Sequence, residues 1–200
     1  RILHLRLELR CGNFKTLWDD RLGQISLAVT TLFWGAGATL QFIVIKWAQV
    51  ALHLTLSQGA ILQAISAVGV AGGAVWAAWR IPLKDSLKVL PYGVVMGFVV
   101  CILAIYNADM LPNTTLMTIG KLELSLNLLP AYFLLIIVGW LAGYFVVPMN
   151  ALLQHRGHLL MGAGRSIAVQ NFNENLSILT MLAMYSLMLR ARGSSSTAFV

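Results

Sequence analysis

Five long apolar stretches decide what this chain of 200 residues can become. They fall at about 22–50, 58–79, 89–106, 126–147 and 172–189. Each is close to the ~20 residues a helix needs to cross ~30 Å of hydrocarbon. The third is the shortest, with an unbroken core over 93–106, and the first carries Lys46 near its end. None shows the alternation of apolar and polar residues that marks a membrane β-strand. The prediction is an all-α integral membrane protein with five transmembrane helices. Composition leads to the same place. The chain is 58% hydrophobic and 10% charged, against roughly 25% charged in soluble domains, and a soluble interior of this size cannot hide so many apolar side chains.

Lysine and arginine in the flanks give the orientation. Arg1, Arg6, Arg10, Lys15 and Arg21 precede the first span, Arg80, Lys84 and Lys88 join the second to the third, and Arg156 and Arg165 join the fourth to the fifth. These ten residues share one side, which is predicted to be cytoplasmic, against Lys121, Arg190 and Arg192 on the other. The net charge of +7 therefore belongs to membrane edges and anionic lipid, not to nucleic acid. Cys11 and Cys101 have no CxxC spacing and are expected to be inert thiols.

The first 21 residues lack the compact apolar core of a signal peptide. Ile2 to Arg10 alternates instead, as an interfacial segment or a frayed helix end would. The chain opens on Arg1, and RGSSSTAFV at its other end turns apolar again. Both ends predict a piece of a longer protein. Residues 1–21 then form a cytoplasmic basic linker, and 22–200 form one half of a bundle whose final helix is missing.

Glycines four apart occur at Gly69/Gly73, Gly93/Gly97 and Gly139/Gly143. Such pairs let helix backbones approach closely in lipid, where hydrophobicity drives little association between helices. The segment FWGAGAT (Phe33–Thr39) sets small residues beside Trp34, a pattern suited to packing or to a helix that bends.

No GxSxG elbow, HExxH, Walker A or paired Cys/His spacing is present, so neither an enzyme, a metal nor a cofactor is expected. His155 and His158 read as surface histidines. Asn113-Thr-Thr and Asn175-Leu-Ser match the glycosylation pattern, which is frequent by chance. Polar groups within or bordering the spans carry more information, because they are costly in lipid and face a cavity or the bundle interior. Gln41 lies midway along the first span. Lys46 is five residues on, about 140° around the helix, and either snorkels to headgroups or meets a phosphate. The run from Asn150 to Asn175 reads as a polar cytoplasmic loop, although Asn150 and Gln154, four apart, can also extend the fourth helix past the membrane surface. At the start of the fifth span Gln170/Glu174 and Asn171/Asn175 form i,i+4 pairs on adjoining faces.

FWGAGATLQF, GYFVVPMNALLQHRG and GAGRSIAVQNFNEN together resemble the C-terminal half of the LplT-type lysophospholipid transporters of Gram-negative bacteria, in the major facilitator superfamily. The resemblance covers most of 32–189. It implies a twelve-helix fold in which these five spans are the seventh to eleventh, with a missing N-terminal half. It further implies import of lysophosphatidylethanolamine and lysophosphatidylglycerol from the outer to the inner leaflet of the bacterial inner membrane. There an acyltransferase/acyl-ACP synthetase partner re-acylates them. On that footing Trp34, Gln41, Lys46, Asn171, Glu174 and Asn175 line the substrate path, and Asn150, Gln154, Arg156, Arg165 and Gln170 form a cytoplasmic gate. The family pattern carries arginine where this chain has Gln41, and the outer segment from Asn107 to Asn127 is longer than usual. The competing readings are an exporter of amphipathic drugs or other solutes, with Glu174 as its proton site, and a non-transporting membrane anchor for an acyltransferase.

Overall fold

The computed structural model describes residues 19–112, 114–119 and 122–197. Most of the basic arm, Cys11, Asn113 with its glycosylation pattern, Lys121 and the last three residues lie outside this set. Among the described residues five α-helices follow one another: α1 (Arg21–Ala51), α2 (Leu56–Arg80), α3 (Leu90–Ile105), α4 (Leu129–Met161) and α5 (Ala163–Thr197). A 3-10 segment, Leu83–Val89, leads into α3, and a second, Ala108–Met110, follows it. Two short strands, β1 (Thr115–Ile119) and β2 (Leu122–Ser125), pair antiparallel before α4.

Among the described residues four stretches are long and apolar enough to cross a membrane: Arg21–Ala51, Leu56–Arg80, Leu83–Ile105 and Leu129–Met161. The chain is a multi-pass membrane protein of the all-α class. The fifth predicted span is a helix, but it is not among these four. Asn171, Asn173, Glu174 and Asn175 at one end and Arg190 at the other dilute its apolar centre. The hairpin was not expected either. It fills part of the long segment between α3 and α4, where Met117↔Leu124 and Ile119↔Leu122 are paired.

The ends of the helices follow from local chemistry. Thr55 caps α2 in a reciprocal capping box: Gln58 N–H donates to Thr55 Oγ1 (3.3 Å), and Thr55 N–H donates to Gln58 Oε1 (2.9 Å). This satisfies two of the N–H groups a helix start leaves free. Pro91 occupies the first turn of α3, where its missing N–H costs nothing. Pro148 instead sits well inside α4, and there its ring cannot donate to the carbonyl four residues back, that of Tyr144. The helix nevertheless runs on to Met161. A single residue, Gly162 with φ +84°, separates α4 from α5. The expected polar loop from Asn150 to Asn175 is therefore wrong. The polar residues stand on two helix ends joined by one glycine.

The chain forms two compact units, one built from residues up to Leu40 and from Asn150 onward, the other from Gln41–Met149. The divisions fall inside α1 and α4. In the second unit α2 and α4 lie backbone to backbone. A Cβ on Gly69 would press on Ile136 and Trp140, and one on Gly73 on Trp140. One on Gly139 would press on Ser66 and Val70, and one on Gly143 on Val70 and Ala74. Contact positions rise together along both helices, so the two run parallel, as alternate spans must. Two of the three predicted glycine pairs thus meet each other. In the third, Gly93 faces the ring of Phe145, while Gly97 has nothing within 4 Å. The apolar window of α4 is 61% buried, against 11–22% for the other three. Those three turn Phe42, Val50, Val68, Val75, Trp79, Phe98 and Ile105 outward, a surface that suits lipid and not water.

Candidate functional site

The first unit gathers two polar clusters on the facing ends of α1, α4 and α5. Asp20 stands just before α1. Its Oδ2 accepts from Gly23 N–H at 2.7 Å and its main-chain carbonyl accepts from Gln24 N–H at 2.7 Å. This is the cap that the positive end of a helix favours. The same carboxylate takes both arms of Arg156 on α4: Nε donates to Oδ2 at 3.0 Å, and Nη2 donates to Oδ1. A two-armed pair of this kind is stronger and more directional than a single contact. The Asp20 side chain is 18% exposed and that of Arg156 30%. Hydrogen bonding from Arg156 holds the Asp20 carboxyl below the ordinary carboxylate range, against the opposing effect of burial.

The second cluster joins α4 to α5. Gln170 is buried, and its Nε2 donates to Asn150 Oδ1 at 3.3 Å and to Glu174 Oε1 at 2.8 Å. A carboxamide has two N–H protons, and both are committed here. The helices beneath pack closely: Leu153 is fully buried with Leu27, and Met161 and Val169 pack against them. Gly157 leaves room for Ser166, whose hydroxyl a Cβ at Gly157 would strike.

Of the predicted gate residues, Asn150, Arg156 and Gln170 make these contacts between elements. Gln154 and Arg165 are exposed on their helices. Of the predicted path residues, Glu174 belongs to the Gln170 cluster. Asn171 and Asn175 are exposed, and Asn175 Nδ2 donates to the Asn171 carbonyl at 2.7 Å, so that pair closes on its own helix backbone. Trp34 is 40% exposed and meets Phe33 edge-on at 5.8 Å. In FWGAGAT, Gly35 is a packing position, since a Cβ there would strike Ser177, whereas Gly37 has open space. Gln41 and Lys46 belong to the second unit, and both side chains are exposed.

Asp20 went unrecognised in the sequence. Its place immediately before a long apolar run is a helix-start signal, but nothing local marks its partner 136 residues away. Among the described residues no group of three His, Cys, Asp or Glu side chains gathers. Neither polar cluster pairs a nucleophile with a base. Their chemistry is the making and breaking of hydrogen bonds and one ion pair.

The chain is 42% identical, over 184 residues, to the lysophospholipid transporter LplT of Yersinia pestis (strain Pestoides F) and equally to that of Yersinia pseudotuberculosis serotype O:3 (strain YPIII). The matched stretch is 90% of this chain and 41% of each relative, so the chain spans about two fifths of the length of the curated relatives it matches. No family model and no solved structure matches it.

Proposed function

We propose that this chain is the C-terminal half of an LplT-type lysophospholipid transporter and that it builds one wall of a path carrying lysophospholipids across the bacterial inner membrane. The observation that carries the reading is identity of 42% sustained over 90% of the chain. Movement runs from the outer to the inner leaflet, where an acyltransferase/acyl-ACP synthetase restores the second acyl chain. The substrates are lysophosphatidylethanolamine and lysophosphatidylglycerol. The second wall comes from an N-terminal half, in the twelve-helix arrangement of the major facilitators, whose halves rock about a central site.

In this scheme no covalent bond is made or broken by the protein. Trp34, Gln41, Lys46, Asn171, Glu174 and Asn175 offer polar and aromatic contacts to the headgroup while the acyl tail stays in lipid. The cytoplasmic gate is the pair of polar clusters at the ends of α1, α4 and α5. Gln170 ties Asn150 to Glu174, and Arg156 ties α4 to the start of α1 through Asp20. Contacts of this kind are strong enough to hold a closed state and cheap enough to exchange for water when it opens. Gln154 and Arg165 stand on the same helix ends, exposed to headgroups or to a partner.

The test is transport of labelled lysophospholipid into spheroplasts that contain the acyltransferase, using the full-length polypeptide. Uptake of both headgroups is expected. Gln41→Arg should raise handling of the anionic glycerol headgroup modestly, since a charge-assisted contact to phosphate gains roughly twofold in strength over a neutral one and desolvation of the arginine offsets part of that. Absence of uptake by a well-expressed, correctly inserted protein would overturn the reading. Identical rates for Gln41→Arg and the parent would remove Gln41 from the path.

A further inference from the structure

Where α2 ends and α3 begins, the second unit carries an aromatic strip with basic residues at its edge. Neither belongs to the proposed path or gate. Trp140 and Tyr144, one turn apart on α4, stack at 5.0 Å with their planes 9° apart. Tyr92, in the first turn of α3, meets Tyr144 edge-on at 4.9 Å. On the other side Trp140 lies against Gly72 and Gly73 of α2. Tyr144 is buried, at 7% exposure, whereas Tyr92 keeps 39% of its surface free.

Two observations point to a ligand. The first is charge. Arg80 closes α2, and the 3-10 segment that follows adds Lys84 and Lys88. Asp85 is the single carboxylate in the sequence from Leu56 to Ile105, and Lys88 Nζ occupies it at 3.0 Å. Arg80 and Lys84 are exposed and have no acidic partner among the described residues. The Arg80 charge is close enough to act on the Tyr144 hydroxyl, and the Tyr92 hydroxyl stands beside it. The second observation is the surface around these groups. Trp76 and Trp79, in the last turns of α2, are 46% and 80% exposed and meet edge-on at 6.1 Å. Tryptophan and tyrosine favour the headgroup level of a bilayer. Trp76 also shares a helix face with Arg80, four residues on. Two unpaired cations and a set of outward aromatic rings thus meet at one end of the same helices.

We infer that this face holds a resident anionic diacyl phospholipid, its phosphate on Arg80 and Lys84 and its chains along Trp76, Trp79 and Tyr92. A guanidinium offers phosphate a planar fork of donors, and lysine adds a compact charge. The Tyr92 hydroxyl supplies a further, neutral donor. With no carboxylate left to answer the two cations, a headgroup of net negative charge fits better than a zwitterionic one. Basic groups set between spans at the membrane edge are suited to that kind of headgroup. The apolar windows of α2 and of Leu83–Ile105 are only 22% and 11% buried, so the surface is wide enough for two chains. Such a lipid is held and not carried. The inference rests on membrane insertion and not on transport, since binding is measured without any flux.

The experiment uses the full-length protein in detergent, with native mass spectrometry reading the lipid it retains. The probes are dioleoyl phosphatidylglycerol and dioleoyl phosphatidylcholine, which differ in headgroup charge alone. The parent should retain the anionic lipid in preference to the zwitterionic one. Arg80→Gln and Lys84→Gln should each cut that preference about fivefold, the weight of one basic residue near an anionic surface. Arg80→Lys, which keeps the charge, should retain most of it. Arg21→Gln removes an equally exposed cation at the start of α1 and should leave the preference unchanged. An unchanged unfolding midpoint verifies that the exposed positions were altered without harm to the fold. Competition then fixes the source: neither inorganic phosphate nor lysophosphatidylglycerol at equal concentration should displace the bound lipid. Displacement by phosphate would mark a simple anion site, and displacement by the lysolipid would assign the surface to the transported lipid. Either result overturns the inference. So does a preference that Arg80→Gln and Lys84→Gln leave intact, or one that Arg21→Gln weakens as much as they do.

Discussion

Gly143→Ala should be one of the more damaging single-methyl additions available in this chain. Gly143 lies where α4 crosses α2, and a Cβ there would fall 2.8 Å from Ala74 N and 3.0 Å from the Val70 carbonyl carbon, with the Val70 oxygen nearer still. Ordinary contact is 3.4–4 Å. The obstacle is backbone, which no rotamer change can clear, so the helices must part by about 1 Å. A gap of that size forfeits a quarter to a half of each atom pair's attraction, itself ~0.1–0.2 kcal/mol. With roughly 40 close pairs, the number one buried leucine makes, the loss is about 2 kcal/mol. That agrees with the ~1–3 kcal/mol typical of overpacking. In lipid, packing supplies much of helix association, so little else compensates. The control is Gly97→Ala: the added Cβ meets nothing within 4 Å, and the substitution should be neutral or stabilising by up to ~1 kcal/mol through helix propensity. Equilibrium unfolding in mixed detergent and SDS would compare the two. Indistinguishable midpoints would refute the backbone-contact argument.

Asp20→Asn should flatten the acid response of the first unit. The folded carboxyl titrates below its ordinary value, so its contribution is fully present above the usual carboxylate range and is lost as pH falls through the lowered folded value. The parent should therefore lose more thermal stability than the variant between neutral and acidic pH. At Gly162 the backbone alone is at issue, since φ is +84° and no atom would obstruct a Cβ. Gly162→Val should cost about 1–2 kcal/mol, and Gly162→Asn clearly less, by the same unfolding measurement. For orientation, single cysteines at Arg80 and Gln154, in a background lacking Cys11 and Cys101, should be shielded from an impermeant thiol reagent added to intact spheroplasts. A cysteine at Asp109 should react, and the opposite pattern would invert the topology.

The helices were legible because uncharged apolar runs in lipid leave the backbone no other way to satisfy its polar groups. The α2–α4 contact was half legible. Glycines four apart announce a flat face, but only the fold tells that Gly69/Gly73 and Gly139/Gly143 face each other while Gly97 faces nothing. The region after Pro148 was misread because proline and a dense polar run resemble a loop. A membrane helix tolerates one missing N–H, and the polar residues turned out to bridge helices. Gln170 and Glu174 pair as i,i+4 spacing requires, whereas Asn150 and Asp20 join their clusters through long-range contacts that local spacing cannot encode.

The one-residue turn at Gly162 has a mechanical consequence. A loop of twenty residues would have let the ends of α4 and α5 drift independently, each trading partners on its own schedule. With a single glycine between them there is no slack to absorb such motion. Arg156 and Gln170 stand about two turns of helix on either side of Gly162, and a displacement that pulls Arg156 away from Asp20 is passed through that glycine to Gln170. The two polar clusters should release together, as one latch with two teeth.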